Sequence, residues 1–165
     1  MQVFSEAETE TMAEDLRRFG DPGSEDFRVD VYPFYLLNRA VSRYNVVIEA
    51  QLRAIEIDIP SWRVIMILGE RSPLPVAQIA KLAVINISTL VRLVERMSKA
   101  GLVSSSPCPD DGRVTQLSLT ELGRLKLVEA RKITAPLYRK LIKGFSASEF
   151  AKLLEMLNRL HDNLS

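Results

Sequence analysis

The chain has 165 residues, 47% of them hydrophobic and 26% charged, with a formal net charge of +1. That length suits one core with an extension, and no apolar run approaches the roughly 18–20 residues of a membrane span. The lone Cys108 excludes an internal disulfide, and the opening MQVFSEAETE lacks the basic and apolar regions of a secretory leader, so a cytoplasmic location is expected.

Residues 1–28 read as an acidic, flexible arm. Residues 1–30 hold nine acids against Arg17, Arg18 and Arg28, which gives −6 and leaves the other 135 residues at +7. One short helix is expected at Glu6–Phe19, before the Asp21-Pro22-Gly23 turn signal. The mildly basic body suits a nucleic-acid binder without proving one.

From Val29 to Ile55 the apolar residues Phe34, Leu37, Val41, Tyr44, Ile48, Leu52 and Ile55 advance by threes and fours, which predicts a long amphipathic helix. Pro33 fits its first turn or marks a kink. Asp58 is the expected N-cap of the next helix, Ile59–Gly69, with Ile57 and Trp62 as a hydrophobic staple. That helix should bury Trp62, Ile65, Met66 and Leu68. Ser72-Pro73-Leu74-Pro75 reads as a connector, and Val76–Leu82 as a short helix presenting Ile79, Ala80 and Leu82.

Asn86 should cap the following helix, in which Leu90, Val94 and Met97 form an apolar stripe opposite Ser88, Arg92, Arg96 and Lys99. Gly101 stands where a left-handed residue would end it. Strands are expected at Leu102–Ser106 and Val114–Leu119, joined by a loop with Pro107, Pro109, Asp110, Asp111 and Gly112. Thr120 caps a helix running to about Lys143, which Pro136 should kink by removing a backbone donor. Ser146 and Glu149 form a capping box for the last helix, whose stripe is Phe150, Leu153, Leu154, Leu157, Leu160 and Leu164.

The order of these elements, the Gly101-Leu102-Val103 step and the Asp111-Gly112-Arg113…Leu119-Thr120 pattern resemble the MarR family of winged helix-turn-helix transcription regulators. The resemblance runs from about Val31 to Leu164 and is most specific from Ser88 to Gly123. Two departures stand out. Val84 replaces the family's usual turn glycine, and Gly112 replaces the first arginine of its wing Asp-Arg-Arg.

The expected fold is therefore mainly α with a small β-wing. A winged helix-turn-helix domain over 58–119 is joined to a helical dimerisation region over 29–57 and 120–165. The resemblance implies a ligand-responsive homodimer, a repressor, on double-stranded DNA with a pseudo-palindromic operator. Arg92 suits guanine O6/N7, while Ser88, Thr89 and Arg96 suit phosphates or flanking bases. Arg71 and Lys99 are further phosphate candidates on charge alone, and Arg113 is the minor-groove candidate by family analogy. The other reading of these helices is a winged-helix protein-interaction module that binds no DNA.

Phe34, Tyr35, Tyr44 and Trp62 gather aromatic surface, with Arg43, Arg63 and Asn38 nearby in sequence. An apolar cleft with an arginine fork predicts an aromatic carboxylate or its thioester as effector. The same residues could equally be ordinary core. No catalytic constellation, cofactor loop or metal-ligand spacing is present in the sequence, so an enzyme is not expected.

Overall fold

The computed structural model describes residues 15–164. Most of the helix expected at Glu6–Phe19 lies outside those residues; what is described of the region is one turn, α1 (Arg17–Gly20). The chain forms two compact units that meet in sequence at Val46/Val47.

In the first unit, the described part of the acidic arm is knit together locally. Arg17 pairs with Asp15, Arg18 with Asp26 and Arg28 with Asp30. Phe27 meets Tyr32 edge-on at 5.7 Å, and Tyr32 lies 5.8 Å from Phe34. A short 3₁₀ turn, Val29–Val31, precedes α2 (Pro33–Arg53). Pro33 is the first helical residue, where its missing N–H costs nothing. Along α2 the predicted stripe divides: Ile48, Leu52 and the following Ile55 are buried, Leu37 and Tyr44 are half-buried, and Phe34 and Val41 are exposed.

The second unit holds the core. It contains α3 (Ile59–Glu70), β1 (Leu74–Pro75), α4 (Val76–Ala83), α5 (Ile87–Lys99), β2 (Val103–Pro107), β3 (Thr115–Leu119), α6 (Glu121–Leu141) and α7 (Ala147–Asp162). Asp58 caps α3 through Ser61 N–H at 2.9 Å, and Thr120 caps α6 through Gly123 N–H at 3.0 Å. The Ser146/Glu149 capping box opens α7 as expected.

α3 buries Trp62, Val64, Ile65 and Leu68, and around it gather Ile79, Leu90, Met97, Leu117 and Leu127. Each such side chain removed from water contributes about 1.5–3 kcal/mol. Met66 and Leu82, expected inside, are exposed. Each is periodic with its helix's apolar face but falls at the margin of the stripe that packs.

The sheet has three antiparallel strands in the order β1-β3-β2. The segment read as a plain connector supplies the third strand, Leu74 opposite Leu117 and Pro75 opposite Gln116. Pro75 and Pro107 both sit on edge strands, where a missing N–H breaks no internal ladder. Two glycines set how closely α6 approaches. A Cβ on Gly69 would lie 2.3 Å from Leu127, and one on Gly123 would lie 2.0 Å from the Leu102 carbonyl oxygen.

Three helices end in the same way. After α2, α4 and α5 a residue adopts a left-handed conformation: Glu56 (φ 61°), Val84 (φ 54°) and Gly101 (φ 71°). In each case the next amide reaches back five residues, Ile57 to Leu52, Ile85 to Ala80 and Leu102 to Met97, at 2.9–3.1 Å. This is the wide hydrogen bond of a Schellman-type stop, for which glycine is the usual residue. Only one of the three positions has it.

Among the described residues no single helix is long and apolar enough to cross a membrane. α7 buries none of its side chains, although Phe150 and Leu160 are half-buried.

Candidate nucleic-acid interface

The chain turns by 108° between α4 and α5, within the range of a helix-turn-helix pair. The turn is made by Val84, which is left-handed and 84% exposed. Its side chain therefore pays a conformational cost without gaining burial. Asn86 then starts α5, its Oδ1 accepting from the Ser88 amide at 3.0 Å and from the Ser88 hydroxyl at 2.7 Å.

One side of α5 is sealed into the core by Leu90, Leu93, Val94 and Met97. The other presents Ser88, Thr89, Arg92, Arg96 and Lys99, all exposed. Ile87 and Val91 are exposed beside them; as apolar residues they carry no signal that would mark them on a polar side. An apolar side chain at Val91 can meet a thymine methyl.

Three of the five candidate cations already hold a carboxylate of their own chain: Arg71 with Glu70, Arg96 with Asp58 and Arg113 with Asp111. Arg92 and Lys99 make no hydrogen bond or ion pair among the described residues.

At the wing, β2 and β3 are closed by a turn in which Cys108 N–H bonds the Val114 carbonyl at 2.7 Å. Asp111 accepts from the Arg113 amide at 3.0 Å and from its guanidinium at 3.1 and 3.3 Å. Those side-chain and then backbone hydrogen bonds hold the Asp111 carboxyl below its ordinary pKa. The Arg113 side chain is 92% exposed, so the pair is a tether at the surface. Nothing lies within 4 Å of a Cβ built on Gly112.

Asp58 has two partners, Ser61 through Oδ1 and Arg96 through Oδ2. Its partial burial pushes the pKa up, but the Ser61 hydrogen bonds and the Arg96 charge outweigh this and leave it lowered. A lowered folded pKa means the carboxylate stabilises the fold above roughly pH 4. That contribution is lost as pH falls through the folded value.

The residues expected to line an effector site are divided between the two units. In the first, Phe34, Tyr35, Asn38 and Arg43 are exposed, Tyr44 is half-buried, and the Arg39 guanidinium lies 5.9 Å from the Tyr35 ring centre. In the second, Trp62 is only 4% exposed and belongs to the core. Arg63, by contrast, lines a cavity of about 390 Å³ with Met66, Ile67, Leu82, Ala83 and Val84. A second cavity of about 390 Å³ lies beside the Asp58–Arg96 pair, with Glu49, Arg53, Ile57, Met97 and Leu102 in its wall.

Comparison with known proteins agrees with this geometry. The MarR family model matches residues 57–115. The HTH-type transcriptional repressor IacR of Pseudomonas putida is 37% identical over 144 residues, 87% of this chain and 86% of that one. The PcaV regulator of Streptomyces coelicolor, solved with its natural ligand, superposes with a TM-score of 0.74 at 20% identity, covering 84% of this chain and 97% of that one. A MarR mutant of E. coli complexed with operator DNA gives 0.68 at 20% identity over 76% and 90% of the two chains.

Proposed function

The chain belongs to the MarR family, and from that premise we propose that it is a homodimeric, sequence-specific DNA-binding repressor whose hold on a pseudo-palindromic operator is released by a small aromatic acid or its thioester. The observation that carries the DNA reading is Arg92. It stands in mid-helix on the exposed side of α5 without an ion-pair partner among the described residues, opposite a fully sealed apolar side. A planar guanidinium so placed can bond guanine O6 and N7 in the major groove. Ser88 and Thr89 at the start of α5, with Lys99 and Arg71, are assigned to phosphates and flanking bases, and Arg113 to the minor groove. The related IacR is named as a repressor, and the E. coli relative is described in complex with an operator.

The dimer reading rests on the bare apolar faces of α2 and α7. We assign the helices outside 58–119 to it. Two recognition helices related by a two-fold would then enter major grooves about 34–36 Å apart.

The effector reading rests on Arg63 in its aliphatic cavity. The volume falls within the range of small-molecule sites, and the arginine selects a carboxylate. PcaV, a structural neighbour, is described with a bound ligand.

Operator duplexes selected from a random pool supply the test. Log affinity should fall steeply and linearly with log salt as counterions are released; a flat slope would favour the protein-interaction reading. Arg92→Ala should cost about 1–3 kcal/mol on the selected site and relax specificity at one position. Hydroxybenzoates, cinnamates or their thioesters should release DNA from the wild type and not from Arg63→Gln. If none acts at millimolar concentration, the aromatic-acid part is abandoned.

A further inference from the structure

The Arg96 guanidinium is held by Asp58, thirty-eight positions earlier in the chain. The same carboxylate caps α3. One side chain therefore joins the first turn of α3 to the last turn of α5. Arg92 and Arg96 are four residues apart and lie on one side of the helix. The buried row Leu90, Leu93, Val94 and Met97 holds α5 in the core and sets its rotation coarsely, since turning the helix would expose those side chains. A polar tie at one end resists rotation directly. We propose that Arg96 is a positioning residue rather than a phosphate contact: its bond to Asp58 fixes the rotation of α5 and so aims Arg92.

The electrostatics favour this assignment. The two side chains are 62% and 42% exposed, so the pair adds little to stability. Arg53, the other cation in the wall of the adjoining cavity, is engaged by Glu49 at 2.8 Å and does not compete for Asp58. The arginine also sits in the last turn of α5, where a cation is favoured by the helix dipole.

The inference rests on the DNA-binding reading, and the two are separable by experiment. Asn caps helices as well as Asp does, so Asp58→Asn keeps the α3 cap and removes the charge. On a selected operator, Asp58→Asn and Arg96→Gln should each weaken binding on the order of three- to tenfold, and the double variant should be no worse than either. The slope of log affinity against log salt should stay parallel to wild type. If Arg96 instead touches phosphate, Arg96→Gln lowers that slope by about 0.9, and Asp58→Asn, which frees the arginine, binds as well as wild type or better. Either result overturns the proposal.

A second measurement needs no DNA. Backbone amides of Met97 to Gly101 in the free protein should exchange faster, by the same factor, in both variants. Unchanged exchange in either overturns the tie even if the wild type binds no duplex.

Discussion

α5 and α7 carry the same kind of apolar stripe and meet opposite fates. α5 places Leu90, Leu93, Val94 and Met97 out of water, and the winged region around it closes on itself with left-handed stops and close-packed glycines. In α7 Leu153, Leu154 and Leu157 are 36–47% exposed. On α2, Asn45 Oδ1 and Gln51 Oε1 are buried without a hydrogen-bond partner among the described residues. A stripe of period 3.6 says that a helix has a face to bury; it does not say against what. The winged region answers from within the chain, whereas α7 and the first half of α2 leave apolar side chains exposed.

The sharpest way to break this contrast is at Gly123, where the winged region has no slack. Gly123→Ala drives a methyl group into the Leu102 carbonyl, 2.0 Å away. The expected loss is about 3 kcal/mol in urea unfolding, at the upper end for overpacking. A variant as stable as wild type would mean that α6 can shift, and that the winged region is looser than described.

α7 should behave in the reverse way. Leu157→Glu should leave urea unfolding of the winged region intact while weakening self-association by on the order of 2 kcal/mol. Sedimentation at micromolar concentration reads it. If the wild type is already a monomer there, the contrast between closed and open regions loses its functional meaning.

The smallest effect is expected at Val84. A left-handed conformation costs a non-glycine residue about 1–2 kcal/mol, and glycine returns roughly 0.5–1 kcal/mol of that as chain entropy. Since Val84 is exposed, Val84→Gly should stabilise by up to about 1 kcal/mol in thermal or urea unfolding. A destabilised variant would show that the valine side chain has a partner, and the wall of the Arg63 cavity is the first place to look.

Local rules made much of this legible. The caps at Asp58, Asn86, Thr120 and Ser146 form where expected, because a cap is read from neighbours within three residues. Gly101 ends α5 for the same reason. Four features were not legible, and three of them depend on something distant in sequence. Leu74–Pro75 is a strand only because β3, forty residues later, pairs with it. Gly69 is a packing glycine only because Leu127 lies across from it. Glu56 adopts a conformation that its residue type disfavours. The Asp58–Arg96 bond joins two helices, so the sequence showed Arg96 only as one more cation on the α5 surface.

The central place of β3 has a mechanical consequence. Its one edge carries the wing strand β2, and its other carries β1, which leads directly into α4. The wing strand and the first helix of the turn motif are thus joined through a single beam. A lever so built turns as one piece. On the reading proposed above, an effector would swing the whole arm and leave the span between recognition helix and wing within one chain unaltered. If control is exerted by a small molecule, the adjustable dimension is the distance from one arm to the next.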